Sequence, residues 1–183
     1  MTVHGTEAPS AWLQRWGHLI PAHSRTLDVA CGGGRHMQWL AAQGHQPIGV
    51  DRAPEALALA SQWGETLLAD IENGPWPLPD QTFGAVVVTN YLWRPLWPQI
   101  LGSVAPGGVL FYETFAQGNE TVGKPSRPDF LLRPGELLEV CTQTGLRIIA
   151  FEEGFLDAPQ RFIQRIAAVR EKPADLPMRW PLA

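Results

Sequence analysis

The chain is short of cysteine, tyrosine and charge. It carries two cysteines and two tyrosines, and 17% of its residues are charged. Cys31 lies in a glycine turn and Cys141 in a helical stretch, so a disulfide scaffold is excluded. Both read as free thiols of a reducing, cytoplasmic compartment. There is no block of Lys or Arg, and the net charge is −4. A large nucleic-acid footprint is therefore not expected. No apolar run is long enough for a membrane span. Residues 1–10 lack the basic-then-apolar pattern of a secretion signal. No His, Cys and acid cluster has ligand spacing, so no metal is expected. Neither an internal repeat nor a second domain is visible.

Glycine, proline and tryptophan are plentiful instead, with 18, 17 and 8 copies in 183 residues. That length suits one domain, residues 1–170, with a Pro-rich tail at 171–183. Along it, apolar runs alternate with helical patterns. Helices are expected at residues 11–19, 34–43, 54–63, 96–104 and 134–144, the first capped by Ser10. Strands are expected at 26–30, 46–51, 66–70, 85–89, 108–115, 146–155 and 162–169. The alternation predicts an α/β fold: a seven-stranded, mostly parallel sheet with helices on both faces. The last two strands are joined by a short turn at 157–159 and must run antiparallel, so one antiparallel strand falls near the C-terminus.

In such sheets ligands bind beyond the C-terminal strand ends. Those ends carry Asp28, Asp51, Asp70 and Asn90 on four successive strands. Asp28 runs into the turn Ala30-Cys31-Gly32-Gly33-Gly34, where glycine allows a sharp bend and close approach to a ligand. Asp51 is placed to accept from a ribose diol, and Asp70 from an adenine amino group. Singly, an acid after a strand is usually a turn or cap residue. A dinucleotide fold would want a third spaced glycine, where this chain has Met37. S-adenosylmethionine needs no phosphate cradle, and the ordered acids suit it.

With these residues in view, the chain resembles a class I S-adenosylmethionine-dependent methyltransferase, of the small bacterial kind that includes tellurite-resistance-type enzymes. The resemblance spans residues 27–169. It rests on Asp28-Val29-Ala30-Cys31-Gly32-Gly33-Gly34, Gly49-Val50-Asp51, Ala69-Asp70-Ile71, Phe83-Gly84-Ala85-Val86-Val87-Val88 and Ala105-Pro106-Gly107-Gly108. The chain departs from the family at Ala30, where glycine is usual. The resemblance implies a Rossmann-like fold. It implies that Ala30, Gly32 and Gly34 abut the methionine part of the cofactor, with Asp28 at the turn. Arg35 would meet the cofactor carboxylate, Asp51 the ribose and Asp70 the adenine. Arg52 would cover the adenine, Ile71 would pack on it, and Asn90 and Tyr91 would face the sulfonium.

Methyl transfer needs few catalytic groups, because alignment of the reactants does most of the work. Tyr91 and Asn90 are the candidates; His36 is a possible base inside a helix. Walls for the acceptor are sought in three places. These are an N-terminal lid at residues 1–24, with Trp12, Arg15 and Trp16; the run 90–95; and the stretch from Glu113, Thr114 and Phe115 to Arg133, with Asn119, Lys124 and Arg127. Core packing is the ordinary role for those tryptophans. The Asn-Pro-Pro-Tyr and Pro-Cys motifs of DNA methyltransferases are absent, so DNA is not the expected acceptor. A small molecule is expected. RNA or protein acceptors, a non-catalytic cofactor-binding module and a nicotinamide-dependent oxidoreductase are the alternatives.

Overall fold

A computed structural model of the chain describes residues 8–173 and 178–182. Seven strands form one sheet: β1 (Arg25–Val29), β2 (Gln46–Asp51), β3 (Glu65–Leu68), β4 (Phe83–Thr89), β5 (Val104–Phe115), β6 (Arg147–Asp157) and β7 (Gln160–Val169). Their order is β3-β2-β1-β4-β5-β7-β6. The first five strands pair in parallel. β7 runs antiparallel to both β5 and β6, so it alone is reversed, as expected. The cause is local: only Ala158 and Pro159 separate β6 from β7, too few for a parallel crossover.

Five α-helices cover the sheet: α1 (Ala11–Trp16), α2 (Arg35–Ala42), α3 (Pro54–Ala60), α4 (Trp97–Gly102) and α5 (Glu136–Gln143). Ser10 caps α1, its Oγ accepting from the amides of Trp12 at 3.1 Å and Leu13 at 3.4 Å. Alternation along β4 explains its unbroken apolar run. Val86 and Val88 join a core with Ile100 and Leu101 of α4 and with Leu137 and Cys141 of α5. Ala85 and Val87 join another with Trp12, Leu13 and Trp16 of α1 and Leu40 of α2.

The lid expected of residues 1–24 divides. Residues 1–7 lie outside the described residues. α1 packs its indoles against β4 and β5 as a layer of the sheet core, and Ala8 just before it meets Arg35 at 3.3 Å. Burying a large aromatic side chain stabilises such a layer by about 2 kcal/mol or more. Of the tail, Trp180 packs on the same core, and the His18 ring meets the Pro181 carbonyl at 3.0 Å.

Several boundaries differ from expectation. β3 stops at Leu68, so Asp70 belongs to the following turn and not to the strand. α3 ends at Ala60, and a 3-10 turn, Arg94–Leu96, precedes a short α4. β5 starts earlier, at Val104, where its pairing with β4 shifts register between Phe83 and Ala85.

α2 and α3 meet over the glycine turn, and Gly34 is what lets them. Its φ is +83°, and an added Cβ would stand 2.9 Å from the Cα and Cβ of Ala60. Left-handed strain and the clash with α3 together cost a Gly34→Ala protein about 2 kcal/mol. A lowered thermal midpoint is the expected result; an unchanged midpoint would show that the turn relaxes freely.

Candidate active site

The turn after β1 is left-handed three times in five residues, with φ of 54° at Ala30, 53° at Gly32 and 83° at Gly34. Ala30 thus holds a conformation in which glycine carries no strain, which gives a physical sense to the family's usual glycine there. The Cys31 amide donates to the Val50 carbonyl at 3.0 Å and ties the turn to β2. Asp51, at the end of β2, completes the tie. Its Oδ2 accepts from the Gly32 amide at 2.8 Å, and its Oδ1 from the Ala53 amide at 2.9 Å. Each oxygen keeps a further lone pair for a ligand.

A cleft of about 630 Å³ opens beyond these strand ends. Ala30, Gly32, Arg35, Asp51, Arg52, Asp70, Ile71, Asn90 and Tyr91 all line it. Asp28 and Gly34 are not on its surface. Asp28 is buried under the turn and faces His36 of α2, with Oδ2 and Nδ1 3.6 Å apart. Gly34 turns toward α3. Both support the turn from beneath.

The remaining candidates differ in how firmly they are held. Arg35 reaches the Ala8 carbonyl at 3.3 Å and the Thr89 hydroxyl at 3.4 Å. Asp70 accepts from the Asn73 side chain at 2.9 Å and from the Glu72 amide at 3.1 Å. Those bonds, the Asn73 side chain first, hold its carboxyl below the ordinary value. Asn90 sits at φ 54°, a region asparagine tolerates, and its amide donates to the Glu113 carbonyl at 2.9 Å. The Tyr91 hydroxyl is buried without a hydrogen-bond partner among the described residues. Burial, and after it the Glu72 charge, push its pKa well up, so it stays protonated.

Of the proposed acceptor walls, Phe115 and Lys124 reach the cleft. Arg127 pairs with Asp129 at 3.0 Å, and Arg133 lies 3.4 Å from Glu136. Arg15 pairs with Glu152 at 3.1 Å. Asn119 is a structural pin: its Nδ2 donates to the Pro125 carbonyl at 3.0 Å, and its Oδ1 accepts from the Phe162 amide at 3.2 Å. Glu113 lies near Arg161 and Arg165, at 3.6 and 3.7 Å.

Three features escaped the sequence reading. Glu72 lines the cleft, directly after the Asp70-Ile71 pair, and its place there was the available signal. Pro125 reaches the same wall from the 116–133 loop, with no sequence signal. The Arg94–Glu136 pair holds that loop. Arg94 Nε donates to Glu136 Oε1 at 2.8 Å, and its Nη1 and Nη2 donate to the Asp129 and Leu131 carbonyls at 2.8 and 2.9 Å.

Both thiols are free and buried, in separate clusters. Burial, then the Asp28 and Asp51 charges, push the Cys31 thiol far up, and burial pushes Cys141 up to about 12. Neither should react with an aromatic disulfide reagent at pH 8 within minutes, whereas both should react in urea. Fast labelling of the native protein would contradict this.

A family model described as a methyltransferase domain matches residues 26–108, which covers the turn, Asp51, Asp70 and β4. TehB from Haemophilus influenzae superimposes with a TM-score of 0.72 at 20% identity, over 92% of this chain and 64% of that one. A TehB-like S-adenosylmethionine-dependent methyltransferase from Corynebacterium glutamicum gives 0.64 at 19% identity, over 86% of both chains. The fold is that of a class I S-adenosylmethionine-dependent methyltransferase. A 55-residue stretch is 40% identical to the thiopurine S-methyltransferase of Xanthomonas campestris, covering 30% of this chain. The chain spans 25% of the length of that relative.

S-adenosylmethionine is the cofactor that this methyltransferase fold implies, and the residues present fit it. Asp51 offers oxygens with spare lone pairs at the end of β2. The glycine turn exposes backbone to the same cleft, and Ile71 supplies an apolar wall. No helix among the described residues is long and apolar enough to cross a membrane.

Proposed function

We propose that the chain transfers a methyl group from S-adenosylmethionine to a small-molecule acceptor by in-line displacement. One observation carries the choice of a small acceptor. The cleft continues into a recess of about 260 Å³ between the ends of β4 and β5 and the chain's own 116–133 loop. Leu92, Phe115 and Phe130 wall it, and that volume suits one ring system.

The bound cofactor would supply an activated methyl group on a sulfonium that is already a good leaving group. The chain's residues then have three tasks. Asp51 and the glycine turn hold the donor's ribose and methionine parts. Asn90 and Tyr91 stand between the cleft and the recess, where acceptor and methyl must align. The apolar walls keep water from the reacting atoms. Alignment of this kind contributes up to about 7–11 kcal/mol in favourable cases.

Calorimetry with S-adenosylmethionine and S-adenosylhomocysteine should give micromolar binding; none with either would end this reading. Labelled cofactor incubated with cell extract should methylate the metabolite fraction. Label in RNA or protein instead would point to the polymer alternative. The thiopurine relative makes heteroaromatic thiols sensible first acceptors to assay.

A further inference from the structure

Among the described residues, the recess carries a single charged side chain in its wall, Glu72. Glu72, Asn90, Tyr91 and Thr114 are its polar residues, and no Lys, Arg or His lines it among the described residues. None of its lining comes from the glycine turn or from β2, so it is separate from the methionine and ribose ends of the cleft. Lys124 lines the main cleft but not the recess. The Tyr91 hydroxyl makes no hydrogen bond of ordinary geometry among the described residues, and the carboxylate that acts on it is that of Glu72. A substrate group placed between the Glu72 carboxylate and the Tyr91 hydroxyl would give both a partner of full strength.

Resting on the methyltransferase reading above, we propose that the acceptor is a neutral or cationic aromatic compound. Its ring lies against Phe115 and Phe130, an N–H or ammonium group faces Glu72, and a lone pair accepts from the Tyr91 hydroxyl. Anions are rejected, because a second negative charge would lose its water beside Glu72 with no cation in the recess to replace it. A cation there gains an attractive partner in partly desolvated surroundings.

The test uses the full chain saturated with S-adenosylhomocysteine at pH 7.5. Tryptamine, tryptophol and indole-3-acetate serve as probes, sharing one ring and differing in charge. Tryptamine should bind at least tenfold more tightly than indole-3-acetate, with tryptophol between them. Glu72→Gln should remove the gap between tryptamine and tryptophol, and Glu72→Lys should turn the preference toward indole-3-acetate. Tyr91→Phe should weaken tryptophol several-fold. Thermal melting checks that each variant is folded. Equal affinity for the three probes, tighter binding of indole-3-acetate, or no binding by any of them overturns the proposal while leaving the methyltransferase reading standing. Failure of S-adenosylhomocysteine to bind removes both together.

Discussion

Asp51→Ala should weaken S-adenosylhomocysteine binding by about a hundredfold, measured by calorimetry. The side chain is proposed to accept from two ribose hydroxyls, and hydrogen bonds to a charged group are worth roughly 1.5–3 kcal/mol each. The same carboxylate clamps the Gly32 and Ala53 amides, so its loss also slackens the glycine turn. Asp51→Asn keeps one acceptor oxygen and should lose about tenfold, since the neutral amide makes weaker bonds. A melting curve separates the two effects. If Asp51→Ala binds with unchanged affinity, the ribose does not sit there.

Arg94→Ala should lower the unfolding free energy by about 3 kcal/mol at pH 7.5, as read from urea melts. Its guanidinium makes a two-point contact with Glu136, which is 3% exposed, and ties down two carbonyls of the 116–133 loop. Removing it leaves a buried carboxylate without its main counter-charge, the costly way to break such a pair. The pH dependence carries a sign. Burial alone would raise the Glu136 carboxyl, but the Arg94 hydrogen bonds and the Arg133 amide outweigh it and hold it below the ordinary value. In the native protein this stability is therefore full above the ordinary carboxylate range and is lost as pH falls through the lowered value. In Arg94→Ala burial dominates, the carboxyl shifts up, and the gap to the native protein should narrow near pH 4.5. A gap that stays constant with pH would assign the loss to packing alone.

The strand ends show where sequence reasoning reaches and where it stops. Asp51 was legible because a short apolar run, an acid and a helix start are neighbours along the chain, and the structure keeps that order. Asp28 had the same local signature but lies under the turn against His36. Burial is set by the whole β1–α2 packing, which no window of ten residues contains. Trp12 and Trp16 were equally ambiguous. Helical spacing marks an apolar face without saying whether it covers a ligand or a sheet, and here β4 and β5 claim it. Arg127 and Arg133 looked available for an acceptor; their carboxylate partners, two to six residues away, take them up.

By itself the sequence determined the parallel sheet, the reversed last strand, the glycine turn and the acid at the end of β2, since each depends on local spacing and short connections. Only the tertiary structure decided what forms the recess. Glu72, Tyr91, Phe115 and Phe130 come from three separate connections and a strand end, and meet because the sheet order places β4 beside β5. The Arg94–Glu136 pair holds the loop that closes it across 42 positions of sequence. Contacts of that range arise from burial and charge pairing in the folded chain, and they leave no periodic trace in the residues that make them.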